Sequence, residues 1–487
     1  MTDPSFVVGI KPFKTALGFI RPAALIALVT LTTLTGCVSY RPQPVDLTKQ
    51  AQRLEMRRLD DPGLGRYAAQ LGRSPWPPSH WNRADLLVAA LYYNPSLAEA
   101  RARLLAAHAG EITAHEYPNP TLGLTLEYAK DAGTNPWLYG VLIQALLPRF
   151  DLRRAQQIQA GFFKEAAGWD LAEAVWKVRS GLRNALLRVR YADAAGIVLA
   201  RQDEDARALS RLLAAQVNAG EVSAPQVQTA QAQALRIRQK LDAMRAQATA
   251  AHHTLAAVIG ISAQALPTLD AVWSEWQQPL PVSSEQMDRF SRRALLTRAD
   301  LASAMANYGA AEQALRIEVD KQYPGVTVGP GYTWDHGVHK LPFSIDFALP
   351  IFNQNQGPIA QAQARLAEAG AQLETVQANI LANIAAARDA ERQAAIVAQR
   401  ARERQLPLAQ QQLRTARQGF DLGSFDHVAL LSARLNAEDA ELSSLQSDFN
   451  WQMARGDLED ALHRPLGGSE VALGSILTKP LAPEESR

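Results

Sequence analysis

Few side chains in this 487-residue chain have the type and spacing that bond-making chemistry needs. Nine histidines include the His252-His253 pair and, in the stretch WDHGVHK, His336 and His339. No His-Glu-x-x-His occurs, and the second pair falls where an exposed turn is expected. There is no phosphate-binding glycine loop, no Gly-x-Ser-x-Gly elbow and no Cys/His grouping with zinc-finger spacing. Cys37 is the only cysteine, which excludes an intramolecular disulfide. The expectation is a protein that is not an enzyme and has neither cofactor nor metal site. The polar residues that remain of interest sit inside two alternating stretches: Thr125, Glu127, Gln144, Thr333, Ser344 and Asp346. Such residues suit the wall of a wet passage, where they bias what passes instead of transforming it.

The stretches that carry them are Tyr117 to Pro148 and Tyr323 to Pro350. In the first, Leu122, Leu124, Leu126 and Tyr128 alternate with Thr121, Gly123, Thr125 and Glu127; after DAGTNP, Trp137, Tyr139, Val141, Ile143, Ala145 and Leu147 take over as the apolar set. In the second, Val326, Val328, Pro330, Tyr332 and Trp334 alternate with Thr327, Gly329, Gly331 and Thr333, and Leu341, Phe343, Ile345, Phe347 and Leu349 follow on the return limb. Period two over limbs of this length predicts a pair of β-hairpins, each with one apolar and one polar face.

Around them the sequence is rich in Ala, Gln, Arg and Leu, which predicts long helices. Arg83 to Glu116 reads as a helix broken at Asn94-Pro95, with Leu86, Ala90, Leu97, Leu104 and Ile112 near one face. No proline occurs between Pro148 and Pro225, and a helix from Arg153 to Asn218 would be roughly 100 Å long. Its apolar residues, among them Leu171, Val175, Val178, Leu182, Leu186 and Val189, recur at the three-four spacing of coiled-coil packing. Gly220, Ser223 and Pro225 predict a stop, a cap and a restart, and the returning helix is expected to end at Gly260. Leu97 matches Leu301, Tyr117 matches Tyr323, Pro148 matches Pro350 and Gly220 matches Gly423, each pair about 200 residues apart. We read a tandem duplication, with a first repeat over 83–266, a linker over 267–285 and a second repeat over 286–466. A second long helix, about Ile359 to Gln418, is expected to kink at Pro407 or to have a junction there. The arm, 37–82, reads as irregular between 38 and 80, and the tail, 467–487, as loosely ordered.

Residues 1–36 carry Lys11, Lys14 and Arg21 and then the apolar run AALIALVTLTTLTG, too short for a membrane span and patterned as an export signal. Leu-Thr-Gly-Cys at 34–37 resembles a bacterial lipoprotein box, which implies diacylation of Cys37, while Val38 in place of aspartate points to the outer membrane. The leader is long, so the true start codon is expected downstream of Met1. With 50 basic against 48 acidic residues and a formal charge of +2, nothing suggests a nucleic-acid partner. Four strands cannot close a barrel alone, so an oligomer that pools its hairpins into one membrane barrel is the simplest way to satisfy both faces. Tyr128, Trp137, Tyr139 and Trp334 stand where interfacial aromatics belong.

In this context the chain resembles the TolC-type outer-membrane efflux channel family. The resemblance rests on the duplicated plan, NPSLAEA followed by YPNPTLGL, the segments LLPRFDLRRAQ and ALPIFNQNQGPIAQA, and the helix tips AGEVSAPQVQTAQAQ and LGSFDHVALLSARLN. It implies a mainly α protomer with a share in a trimeric 12-strand barrel, continued by an α-helical periplasmic tunnel. It also implies a homotrimer in the outer membrane of a Gram-negative bacterium, with a periplasmic adaptor and an inner-membrane pump, commonly of the resistance-nodulation-division class, as partners. GEVS at the first tip is similar to the heavy-metal branch represented by CzcC. In that frame Glu127 and Asp346 are expected to form negative rings that favour cations, and Arg414, Arg417, Asp421 and Asp426 to form a gate at the second tip. Where TolC has carboxylates after the tip glycine, this chain has Ala429 and Ser432. The competing expectation is an exported, lipid-anchored coiled-coil adaptor or scaffold without a pore.

Overall fold

The computed structural model describes residues 39–130, 133, 135–218, 220–266, 273, 276 and 282–474, so Cys37 and the stretch read as an export signal lie outside the described residues. Two units are distinguished, 1–53 and 54–487. Irregular backbone from residue 39 leads into helix α1 (Leu47–Glu55), which begins in the first unit, ends in the second and buries none of its residues.

The second unit continues with α2 (Pro62–Gln70), whose first turn is held by Asp61 Oδ1, accepting from Gly63 N at 2.6 Å. The arm is therefore not irregular throughout, as its prolines suggested. Leu59, Leu64 and Ala68 enter the core, and Trp76 donates from Nε1 to Leu59 O at 2.8 Å. A nine-residue helix is shorter than the window over which periodicity becomes readable.

Helices α3 (Arg83–Tyr93) and α4 (Pro95–His115) meet at the expected Asn94-Pro95 break. Asn82 and Asp85 cap α3 reciprocally: Asn82 Oδ1 accepts from Ala84 N and Asp85 N, and Asp85 Oδ2 accepts from Asn82 N. Leu86 through Leu91 are all buried, so α3 is enclosed on every side instead of presenting one face. Leu97 and Leu104 on α4 are buried, whereas Ile112 is 55% exposed, against the expectation of a continuous inner stripe.

After the strands β1 (Thr121–Tyr128) and β2 (Trp137–Leu146), α5 (Phe150–Asn218) runs for 69 residues, about 100 Å. Its six apolar positions from Leu171 to Val189 named above are all buried. The chain turns at Gly220, which has φ +79°, and returns as α6 (Ala224–Ile259). Gly260 ends α6 with φ +90°, and a Cβ there would lie 2.5 Å from Tyr93 O, so this helix end needs glycine for two reasons.

The same order of elements follows again: α7 (Ser284–Thr297), α8 (Ala299–Asp320), β3 (Val326–Asp335), β4 (Val338–Lys340), β5 (Phe343–Phe347), α9 (Gln356–Arg400), α10 (Leu406–Asp421) and α11 (His427–Leu462). Between α9 and α10 the helix widens into one π-helical stretch, Ala401–Gln405, directly before Pro407. A proline there has no N–H to give and its ring crowds the carbonyl one turn back, so the wider turn relieves both problems without ending the rod.

Described residues in two stretches that looked like connections are packed into the core. Trp273 and Trp276, in the region read as a linker, are buried and packed edge to face at 5.8 Å, with Arg83 over Trp273 and Arg190 over Trp276. The start of the tail forms a short 3-10 helix, Ser469–Leu473, that buries Glu470 and Leu473 and so is not loose. Glu470 Oε2 accepts from Arg179 Nε at 2.8 Å. Arg179 also pairs with Glu459, whose Oε1 accepts from Leu466 N at 2.9 Å, and Arg183 reaches Glu459 Oε2 at 3.3 Å. Arg183 further donates to Gln452 O and Oε1. Two arginines and two glutamates thus join the middle of α5 to the end of α11 and the chain beyond it, all four almost wholly out of water. No helix among the described residues is long and apolar enough to cross a membrane.

Candidate functional site

The strands form one sheet in the order β1, β2, β3, with β4 and β5 successive along the far side of β3. β1 pairs antiparallel with β2 from Thr121 opposite Gln144 to Tyr128 opposite Trp137. β2 pairs with β3, Leu138 opposite Asp335 and Leu146 opposite Thr327, so the two hairpins are directly bonded. β4 and β5 share one register on β3, Thr333 opposite Lys340 and Pro330 opposite Phe343. They are one strand interrupted where Pro342 has no N–H to contribute, although its carbonyl still accepts from Gly331 N at 2.8 Å. Four strand positions of eight to ten residues result, close to the length that crosses a bilayer when tilted.

This register sorts the side chains as the alternation predicts. Leu122 faces Ile143, Leu124 faces Val141, Leu126 faces Tyr139, and Val328 lies between Ala145 and Ile345, all on one face. That face is bare: Leu124 is 74% exposed, and Leu126, Val141, Ile143, Phe343, Ile345 and Phe347 are exposed too. So large an apolar surface on one side of a sheet marks contact with another phase or partner. At the loop end Tyr128, Trp137, Tyr139 and Trp334 form a run of rings across three strands, with successive centroids 4.9, 6.3 and 5.3 Å apart. Rings with a polar edge and an apolar body belong at the boundary between hydrocarbon and water.

The opposite face carries every residue proposed for a wet lining. Thr125 and Thr333 flank Gly140, and Gln144 Nε2 donates to Asp346 Oδ2 at 3.2 Å across two strands. Ser344 stands opposite Gly329. Glu127 and Asp346 are on this face but at opposite ends of it. Glu127 pairs with Leu138 and Asp346 reaches Gln144, six residues further along β2, about 20 Å away. Copies of the two residues would therefore make two separate tiers. Alternation did not reveal Leu138, Leu142 and Leu146 among the polar set. Leu142 fits because Gly123, Gly329 and Gly331 surround it; a Cβ at Gly331 would come 3.1 Å from Leu142 Cδ1. The glycines themselves were the available signal, since a glycine inside a strand marks a close approach.

Two arginines fix the strands to the helices. Arg149 donates to Tyr323 O at 2.7 Å and to Asp320 O, and Arg153 donates to His115 O and Glu116 O. Each thus supplies a donor to carbonyls left open at the ends of α8 and α4. Arg153 also stacks on Tyr117 at 3.7 Å. At the far end of the helices, Arg414, Arg417, Asp421 and Asp426 are all exposed, and none of the four makes an ion pair among the described residues. Asp426 is the N-cap of α11, its Oδ1 accepting from Ala429 N at 2.7 Å. His336 is in the turn between β3 and β4, whereas His339 is in β4 opposite Trp334, its Nδ1 contacting Tyr332 Oη at 2.6 Å.

Known proteins share this arrangement. Residues 290–463 match the family model described as outer membrane efflux protein. The pyoverdine export outer membrane protein OpmQ of Pseudomonas putida is 28% identical over 223 residues, 44% of this chain and 46% of that protein, so the match spans under half of its length. The outer membrane protein VceC of Vibrio cholerae superposes with a TM-score of 0.64 at 20% identity, covering 83% of this chain and 98% of its own. The Neisseria gonorrhoeae MtrE outer membrane channel, in its open state, gives 0.65 at 19% identity, covering 79% and 89%. At these identities the superpositions establish the fold, which extends over nearly the whole of VceC. A two-faced sheet continued by long helices and the superpositions agree: the chain has the TolC-type channel fold, and its residues 290–463 are similar to the outer membrane efflux protein family.

Proposed function

We propose that this chain is the outer-membrane channel of a tripartite efflux system, passively passing substrates that an inner-membrane pump delivers through a periplasmic adaptor. The observation that carries the reading is the sheet with one bare apolar face, an aromatic band at its loop end, and a polar face opposite. Both edges of that sheet lack a partner strand among the described residues, and three copies of four strand positions would close a 12-strand barrel. A pore-less scaffold would have no use for an exposed apolar sheet of this kind. Acylation of Cys37 would add a lipid anchor at the same membrane. Exposed Arg414, Arg417 and Asp421 are free to pair between copies at the periplasmic mouth, whereas Asp426 already serves as a cap. The cargo class that the lining favours is cationic, because Glu127 and Asp346 are the acids of the polar face without an ion pair among the described residues, whereas Asp335, level with Glu127, is paired with Lys340.

Reconstitution of the detergent-purified protein into planar lipid bilayers tests this. Stepwise conductance with a preference for cations is expected, and the double variant Glu127→Gln/Asp346→Asn should lower that preference by roughly two- to five-fold. Absence of conductance steps refutes the channel; steps with unchanged selectivity refute the two charged tiers.

A further inference from the structure

Far from the strands, three helices bring together Glu173 of α5, Asp300 in the first turn of α8 and His463, which ends α11. One donor atom from each lies within 4.8 Å of the others. We propose that these three side chains form a binding site for one divalent cation of the zinc class, which ties the three helices together.

The geometry fits in several independent ways. His463 Nε2 and Glu173 Oε2 are 3.4 Å apart, yet Glu173 Oε2 is buried without any hydrogen-bond partner. Two ligands on a tetrahedral ion with bonds of about 2.1 Å are themselves about 3.4 Å apart. The His463 ring is only 10% exposed and stacks on Trp176 at 5.1 Å, which fixes its direction. Its backbone is left-handed, φ +47°, at the same point of the second repeat where α6 of the first ends on glycine. Histidine at such a position is strained, so the imidazole is held there against the backbone's preference. Asp300 is oriented by others: its Oδ1 accepts from Arg298 Nε and Leu301 N, and its Oδ2 from Arg298 Nη2 at 2.7 Å. Carboxylates that bind metals are commonly steered by such partners, and each oxygen keeps a second lone pair. Lys177 approaches the other oxygen of Glu173, Oε1, and leaves Oε2 open. An adjacent cleft of about 580 Å³, lined also by Asp457 and Asp460, leaves room for water as a fourth ligand. Imidazole with two carboxylates is a donor set for zinc and related divalent ions. Residues 173, 300 and 463 are too far apart in sequence for any spacing motif to have exposed them.

The test uses tag-free full-length protein in detergent, stripped with EDTA and dialysed against micromolar Zn2+. About one zinc per protomer should be retained and should raise the melting temperature, while Mg2+ should not. Glu173→Gln, which is isosteric, and His463→Asn, which tolerates the left-handed backbone, should each weaken zinc binding by at least about ten-fold. Their metal-free melting should stay near that of the parent. Zinc retained undiminished in Glu173→Gln, or no zinc retained by the parent, overturns the site.

Discussion

Replacing Glu459 by alanine is expected to destabilise the folded protein by about 3–5 kcal/mol, the range seen when one partner of a buried ion network is removed. Glu459 is 2% exposed and faces Arg179 and Arg183, which are 0% and 1% exposed. Without it Glu470 and the more distant Asp460, 3.9 Å from Arg179, would have to balance two buried guanidinium groups, and Leu466 N would lose its acceptor. Urea unfolding followed by circular dichroism measures the loss. The same network sets an acid limit. Burial alone would raise the Glu459 carboxyl, but the two arginines outweigh it and bring it from 4.5 down to about 2. The group's contribution, about 3 kcal/mol, is therefore complete above pH 4.5 and lost as pH falls toward 2. Glu459→Gln should be weaker than the parent at pH 7 and converge on it near pH 2. A variant as stable as the parent at neutral pH would mean that the cluster is not desolvated in the assembled protein.

The second large effect separates the two faces of the sheet. Leu124→Arg, in the middle of β1 opposite Val141, should cost about 2–4 kcal/mol of membrane insertion, because an arginine at the bilayer midplane has no partner. Thr125→Arg, one residue on, should fold and insert normally while narrowing the passage. Counting folded protein in isolated outer membranes distinguishes them: loss for the first and parental amounts for the second are expected. Equal behaviour would remove the distinction between a lipid side and a water side.

Much of this arrangement was legible in the sequence because it rests on strictly periodic signals. Alternation from Leu122 to Tyr128 and from Val326 to Trp334 could be satisfied only by a sheet with unlike faces, and the proline-free run after Pro148 only by a very long helix. Gly220, Gly260 and Pro407 act locally, and each produced the local structure its chemistry requires. What escaped detection depends on packing between distant segments. Leu64, Trp273, Trp276 and Glu470 are in stretches without periodicity, and their burial is decided by α3 and α5. The polar lining was legible by residue type, whereas the two-tier placement of Glu127 and Asp346 required the strand register. Ile112 kept the spacing of its helix and still faces outward, because α4 packs mainly along its first half.

Aqueous maleimide labelling of single cysteines in intact outer membranes tests the channel-wall account most directly. With Cys37 as the only native cysteine, new cysteines can be read one at a time. Cysteines replacing Thr125 and Ser344 should react, and those replacing Leu124 and Ile345 should be protected by lipid. The reverse pattern, or equal labelling of all four, would contradict a barrel wall with its polar face toward water.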